Sequence, residues 1–389
     1  MSIEVSNLKS GLRIGLLTTA AAFALGAQGA KAQSTAPALE EIIVTAQKRE
    51  QRLQDVPTSV DVVTADALRA ASVTEVNQLS NLTPGIMINS DQTGRNTAIK
   101  IRGVGNDEGS NLRPSIGFFY NEIPLMTQKQ GGQSVASDLD LGDLERVEII
   151  KGPQSTLFGE SVSGGAIDFV TKRPSIADGF NGRVSLTAGD HKLRQGRAAV
   201  GAAFGDKAAG RISFYSNSMD DQVLNTATNS RRELTSEGYA FQFLFEPTDN
   251  LRFVLEHNRR RTETKGGFND GEEVLAYGPQ TIADAAAAGI TLTPADPYDR
   301  KAQMVFPLEE VMTNKLTSLH AYWDINDKWS ATSITGYQTN RDRFGSVPGL
   351  HLPGAHLSDG RQRSMVGVHA QFLQVQQGLG IGVRRPLYG

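Results

Sequence analysis

Beyond Arg173 the chain alternates, and that alternation restricts what it can fold into. In Arg183 to Ala188, the residues Val184, Leu186 and Ala188 take turns with Arg183, Ser185 and Thr187. In Tyr239 to Phe245, four aromatics at every second position take turns with Ala240, Gln242 and Leu244. Successive side chains of a strand point to opposite faces, so each segment presents one apolar and one polar face. Seven such strands can be drawn, at about 181–189, 193–205, 209–219, 237–248, 250–260, 315–325 and 329–343, with an eighth near 365–375. Tight turns near Asp206-Lys207, Pro247 to Asn250 and Asn326 to Lys328 join alternate pairs, while long connections are expected near 220–236, 261–314 and 344–364. Short turns on one side and long loops on the other are the pattern of a transmembrane β-barrel. A soluble β-sandwich also alternates, but it does not account for strands of roughly 9 to 15 residues together with the loop asymmetry. Phe204, Trp323 and Trp329 lie near the short turns, where an aromatic interface girdle belongs.

The N-terminus reads as a secretory signal peptide over residues 1–32. Lys9 and Arg13 supply the positive region, Ile14 to Leu25 the apolar run, and Ala30-Lys31-Ala32 the small-residue cleavage site before Gln33. That run is short of the roughly 20 residues a helix needs to cross a bilayer. No later segment reaches that length without charges. The absence of cysteine removes disulfides, thiolate metal sites and a cysteine nucleophile together. A net charge of -3 over 389 residues leaves no footprint for nucleic acid.

Between Leu39 and Pro174 the periodicities mix as in a small α+β domain. Val60, Val62 and Val63 form a β-branched run; Asp66 to Ala71 and Ser72 to Leu79 read as helical turns, the second opening on a Ser72 cap with Glu75 three residues on, and Pro84-Gly85 stops it. Short strands are expected at Ala98 to Ile101, Ile116 to Tyr120, Arg146 to Ile150 and Ala166 to Thr171.

One stretch is more specific than any of this. Leu144 to Pro174 reads LERVEIIKGPQSTLFGESVSGGAIDFVTKRP, a strand, a glycine-bounded turn and a second strand with almost no spare residues. It resembles the plug-domain signature of TonB-dependent outer-membrane receptors, and so does the order around it: signal peptide, the EEIIVTA segment from Glu40 to Ala46, a mixed domain, then amphipathic strands. The resemblance implies an α+β plug over 48–174 followed by an antiparallel transmembrane barrel over 175–389. The segment at 33–47 would be the TonB box and its linker. Because a plug that precedes strand one starts the wall on the periplasmic side, the first turn on that side must join strands two and three, as the turn spacing requires. A barrel that houses a separate plug has about 22 strands, and this chain supplies about 7 to 8. At roughly 10 residues per strand plus loops, the rest of the wall would lie beyond Gly389. Residues after Val375 also lose alternation and lack the terminal aromatic strand usual in the family. The chain is therefore expected to be the front part of a receptor, with a frameshift or premature stop the leading explanation.

The resemblance also assigns residues. Glu41, Ile42, Ile43, Val44, Thr45 and Ala46 would bind TonB by adding a strand to its sheet edge, since this run has high β-propensity and no core of its own to join. A plain first plug strand is the other reading. Ile101-Arg102-Gly103 matches the family's IRG element, with Arg102 either latching the plug to wall carboxylates by bidentate bonds or forming a salt bridge within the plug. Arg146 and Glu148 belong to the signature, as do Gly152, Gly159, Gly164 and Gly165, whose glycines permit close approach or positive φ. PSIGFFYNEIPL from Pro114 to Leu125 resembles the family's strand-turn-strand, but Asn121-Glu122 stands where an Asp-Gly turn is usual, which puts the tight turn in question.

Enzyme patterns fail on inspection. Gly159 to Ser163 lacks the final glycine of a nucleophile elbow, Gly103-Val104-Gly105 is followed by Gly109 one residue too far for a dinucleotide fingerprint, and no lysine follows Gly159 as a phosphate loop needs. His351 and His356 are off helical metal spacing, with Pro353 and Gly354 between them. The expectation is a non-enzymatic receptor with no cofactor or metal, moving a ferric siderophore across the outer membrane under TonB energy. Cobalamin, a saccharide or another organic ligand uses the same architecture. A fragment that at most binds TonB is the alternative.

Overall fold

The computed structural model describes residues 42–45, 51–73, 75–90, 97–105, 115–125, 139, 141–158, 162–226, 229–267, 279–287, 289, 291, 299–302, 308–346 and 358–374, the last by backbone alone. The expected signal peptide lies outside them. Contacts divide the chain into residues 1–42 and 43–389, and every element described belongs to the second unit. No helix among these residues is long and apolar enough to cross a membrane.

The first domain is built on a sheet ordered β3-β9-β10-β7-β8, with β3 at Val60–Thr64, β7 at Ile116–Tyr120, β8 at Ile123–Pro124, β9 at Leu144–Lys151 and β10 at Gly165–Thr171. Strand β10 is central, parallel to β7 and antiparallel to β9, and all seven of its residues are buried. A strand covered on both faces needs no alternation, which is why GAIDFVT reads as a continuous run. Two more strand groups complete the domain. Strands β1 (Ile43–Val44) and β2 (Gln51–Arg52) pair antiparallel, and β4 (Ile86–Ser90), β5 (Thr97–Ile101) and β6 (Val104–Gly105) form a three-stranded sheet. Helix α1 spans Ala65–Ala70, its first turn closed by the Thr64 hydroxyl accepting from the Ala67 N–H at 3.3 Å; a short α2 spans Ser155–Phe158. The second helical turn differs from expectation. Ser72 takes a left-handed φ of 54°, which ends α1 instead of capping a new helix, and a 3-10 turn over Val76–Asn81 begins at Glu75, whose N–H donates to the Gln78 side chain.

The second part is a meander of eight antiparallel strands: β11 (Asn181–Ala188), β12 (Arg194–Ala203), β13 (Ala208–Asn225), β14 (Ser230–Thr248), β15 (Leu251–Gly267), β17 (Leu308–Asn326), β18 (Trp329–Ser346) and β19 (Ser358–Gln374). All eight expected strands are present. The sheet is inside out by the standards of a soluble protein. Toward the first domain β15 buries Glu256, Asn258, Arg260, Thr262 and Thr264, β17 buries Glu310, Asn314, Ser318 and His320, and β18 buries Gln338 and Asn340. On the opposite face Leu186 is 83% exposed and Val184 71%, and Phe214, Phe241, Leu255, Leu319 and Tyr337 are exposed as well. Apolar outside and polar inside is the arrangement hydrocarbon requires and water forbids. A sandwich with a dry centre is excluded. Phe204, Trp323 and Trp329 are exposed beside the short turns, as the girdle reading expects.

The expected long connection at 220–236 is instead strand. Strand β13 runs on to Asn225 and β14 starts at Ser230, so the two close a hairpin that projects past β12, whose pairing with β13 stops at Ser218. Above the apolar band both faces of a strand meet water, so ladder hydrogen bonds persist where alternation has no reason to. In β15 it is the outward face alone that turns polar there, with Arg261 and Lys265 flanking Glu263 at 2.7 and 2.9 Å while Thr262 and Thr264 stay buried. Strands β15 and β17 are joined through residues 268–307, which include helix α3 (Pro279–Ala287) and a two-residue strand, β16 (Lys301–Ala302), parallel to Leu224-Asn225 at the free edge of β13. Neither element shows in the sequence pattern.

Candidate functional site: the joint between plug and wall

The tight turn at Asn121-Glu122 forms, and it supplies the centre of the site. Asn121 and Glu122 both take left-handed φ, 49° and 68°, and make a two-residue hairpin turn between β7 and β8. Asparagine tolerates that region because its short polar side chain can bond locally. Here it does: the Asn121 Oδ1 accepts from the Thr171 N–H at 3.0 Å, while its Nδ2 donates to the Thr171 Oγ1 at 2.9 Å and to the Glu256 Oε2 on the wall at 2.7 Å. Glu122 donates its backbone N–H to both carboxylate oxygens of Asp168 at 3.2 Å, giving the one acid of β10 a partner. Next to the turn, Ile123 packs within 3.1 Å of the position a Cβ on Gly336 would take, in a cluster with Leu316 and Ile334 of the wall.

Three further contacts surround this point. Arg211 of β13, buried, grips Asp143 in two parallel bonds, Nε to Oδ2 at 3.1 Å and Nη2 to Oδ1 at 2.5 Å. Gln242 of β14 donates from Nε2 to the Thr171 Oγ1 at 2.7 Å. Arg173, where the first domain ends, donates to the Tyr322 hydroxyl at 2.8 Å and lies over the same ring as Arg252 of β15, at 5.6 and 4.4 Å from its centroid. Burial lowers the pKa of Arg173, but Tyr322, Glu122 and Glu256 outweigh it and hold it above the ordinary value. Tyr120 is shifted well upward by burial and then by the Glu256 charge, so it stays a neutral phenol in the joint. Charge-assisted and bidentate bonds in a water-poor boundary are the strong kind.

The residues picked from sequence fare unevenly. Arg102 does not reach the wall. It sits at φ 52° with Gly103 at 80° in the two-residue turn between β5 and β6, its N–H bonds the Gly85 carbonyl at 2.8 Å, and its guanidinium donates to the Ser59 hydroxyl at 2.9 Å. The expected internal salt bridge is not what holds it among the described residues: the contact lies within the plug but goes to a neutral hydroxyl. Ile101 beside it is fully buried in the core. Gly164 and Gly165 need to be glycine: a Cβ would stand 2.6 Å from the Ile116 Cδ1 at the first and 2.5 Å from the Ile150 carbonyl at the second, where φ is 150°. Gly152 has φ 99° in the turn after β9. Gly159, Glu41 and Ala46 lie outside the described residues.

The N-terminal segment does find a core to join, against expectation. Ile43 pairs with Arg52 and Val44 with Gln51, and Val44 is completely buried. The Thr45 N–H then donates to both oxygens of Glu148, at 2.9 and 3.0 Å, while the Arg146 Nε holds the same carboxylate at 2.7 Å and its Nη1 reaches Glu145 at 2.7 Å. Arg146 and Glu148 thus dock the chain start onto β9. Glu148→Gln removes the charge from these bonds, which contribute about 1.5–3 kcal/mol. The Thr45 amide is then expected to exchange with deuterium roughly 10- to 100-fold faster, with the β10 amides unchanged.

Asn121, Asp143, Arg173, Arg211, Gln242, Glu256 and Tyr322 were missed from sequence. The pairs they form are far apart along the chain, Asn121 and Glu256 by 135 residues, and no local period shows them.

A separate domain held by buried polar bonds against an inside-out wall is the architecture of a plugged outer-membrane barrel. Residues 52–166 match the model of the TonB-dependent Receptor Plug Domain. Over those residues the chain carries a TonB-dependent receptor plug domain. It is 29% identical over 227 residues to the ferrioxamine receptor of Yersinia enterocolitica, covering 58% of this chain and 29% of that protein, and 26% identical over 308 residues to the ferrioxamine B receptor of Salmonella typhimurium, covering 75% and 41%. The matched regions cover well under half the length of either relative. Solved structures agree in fold: the ferripyoverdine receptor of Pseudomonas aeruginosa superposes with a TM-score of 0.64 at 17% identity over 82% of this chain and 40% of that one, and the ferric yersiniabactin uptake receptor of Yersinia pestis with 0.58 at 19% over 75% and 42%.

Proposed function

We propose that this chain is the plug and early wall of an outer-membrane receptor that takes up a ferric siderophore, driven by TonB from the periplasm. Residues 1–32 would export it, 33–47 would reach TonB, 48–174 would block the pore and 175–389 would begin the wall. The observation that carries this is the joint: a folded plug fixed to the polar inner face of a lipid-facing wall by a few separable hydrogen bonds. Such a boundary is firm at rest and is undone without breaking covalent bonds. The ligand class is supported by the curated relatives, whose names are those of ferrioxamine receptors.

In this reading Ile43 and Val44 are stowed on β2 and become TonB's strand once released, an order-disorder switch whose two states must differ in ligand affinity. Ile43→Pro removes a backbone donor and blocks strand addition. Uptake of radiolabelled ferrioxamine iron by an iron-starved receptor deletion strain, complemented with the complete gene, is expected to fall to the deletion background in this variant, with surface binding of the ligand retained. Uptake that survives the substitution sinks the strand-addition role; a complemented strain that takes up no ferric siderophore at all sinks the ligand class.

A further inference from the structure

The outward face of the wall changes character at one height. Along β15, β17 and β18 it carries no lysine, arginine or carboxylate from the row of Leu251, Trp323 and Ala331 up to the row of His257, Thr317 and Tyr337, and the next row is Arg259, Lys315 and Thr339. From Trp323 to Lys315 the strand rises about 26 Å at roughly 3.3 Å per residue, or about 20 Å across the membrane for a tilt of ~40°. That is close to the apolar band of an outer-membrane barrel, about 25 Å tall. Tyr239 shares the row and Tyr337 lies just below it, both exposed, where an upper aromatic girdle belongs. Arg259 and Lys315 therefore stand where hydrocarbon gives way to headgroups.

Register sets these two cations directly opposite each other on that face, a position in which like charges destabilise a sheet. Lys315 is exposed, and none of its sheet neighbours is an acid: opposite it or diagonal to it lie His257, Arg259 and Arg261 on β15 and Tyr337, Thr339 and Arg341 on β18, with threonines before and after it on its own face of β17. Arg259 meets Glu237 of β14 at 4.0 Å, the outer limit of an ion pair, and Glu237 stands 3.9 Å from Arg261 as well. We infer that Arg259 and Lys315 form the headgroup site of a phosphorylated lipid of the outer leaflet, its phosphate bridging the two cations and its acyl chains lying on the apolar rows below. An anion between them replaces repulsion by charge-assisted bonds, to which arginine brings a planar fork and lysine a point charge. The occupant is a lipid because the site is continuous with exposed Phe241, Leu255 and Leu319 beneath it, surface that an acyl chain covers and a soluble anion does not. This rests on the reading in which the wall crosses the outer membrane with its short turns toward the periplasm.

The probe is dioleoyl phosphatidic acid with a fluorescent tail, titrated in neutral detergent micelles against the full chain folded in the same detergent and followed by anisotropy. Saturable binding is expected, at least roughly tenfold tighter than for the matching phosphatidylcholine and weakening as salt rises. Arg259→Gln with Lys315→Gln is expected to weaken it at least roughly tenfold, the loss of about one charge-assisted bond. Glu237→Gln, which removes the acid competing for Arg259, is expected to tighten it. Lys328→Gln, on a short turn at the other end of the apolar band, is expected to change nothing. The double variant also removes the opposed charges, so its thermal midpoint in neutral micelles is expected to be no lower than the parent's, while phosphatidic acid raises the parent's midpoint and leaves the variant's in place. Equal affinity for the two lipids, or unchanged binding by the double variant, overturns the site. Inorganic phosphate that displaces the lipid at equal concentration makes it a site for a free anion and overturns the lipid. Because the readout is binding and not uptake, either failure leaves the transport reading standing.

Discussion

Asn121→Asp is expected to unseat the plug tip at neutral pH and to be rescued by acid. The substitution keeps size and shape and also tolerates the left-handed turn, but it turns a donor toward Glu256 into a second carboxylate at the 2.7 Å position now held by the amide nitrogen. Glu256 is buried at 1% exposure, so water cannot separate the two charges. An unmatched buried charge costs about 3–5 kcal/mol, more than the roughly 1–3 kcal/mol for the bonds removed by Asn121→Ala. The sign with pH follows from proton sharing: the folded pair holds one proton more tightly than the unfolded carboxyls do, so its pKa is raised. The destabilisation is present above that folded pKa and disappears as pH falls through it. Thermal unfolding in detergent should therefore rank Asn121→Asp below Asn121→Ala at neutral pH and reverse or close the gap in mild acid. A pH-independent gap would mean that Asn121 serves the turn alone.

Arg211→Ala is expected to be the second large loss. It takes from Asp143 the guanidinium that grips both its oxygens, and it breaks the Arg211 contact to the Asn181 side chain at 3.2 Å as well. Removing one partner of such a pair costs about 3–5 kcal/mol, discounted here because Asp143 keeps 29% side-chain exposure. Asp143→Ala with Arg211→Ala together should cost less than the sum of the singles, and the double-mutant cycle gives the coupling directly. Strict additivity would show that the two bonds hold nothing.

The eight wall strands were legible because lipid enforces their pattern. Val184 and Leu186 must face hydrocarbon and Arg183 and Ser185 must not, and that rule operates residue by residue. It stops where the apolar band stops, so the upper halves of β13 and β14 read as a loop: Asn217, Ser218 and Asp220 are polar on both faces of the strand and leave no alternation to read. The plug strands were legible for a different reason, as short β-branched runs between glycines. The joint was not, because it is made between elements rather than along them. Arg102 looked like the latch because it is an arginine on a recognisable motif, yet its backbone turns it away from the wall. The ion pair found across the joint is the inverse of that expectation, with the guanidinium of Arg211 on the wall and the carboxylate of Asp143 on the plug.

The outward face of the wall has one more consequence, for biogenesis. Ile212, Phe214, Phe241, Leu255, Leu319 and Trp323 are left uncovered by the described residues, and in an aqueous compartment they would drive aggregation. Strands bearing them are therefore stable with their ladders closed only where hydrocarbon or another apolar surface covers that face. Glu256 and Arg211 lose their water only when the first domain packs onto them, and that is when they need Asn121 and Asp143.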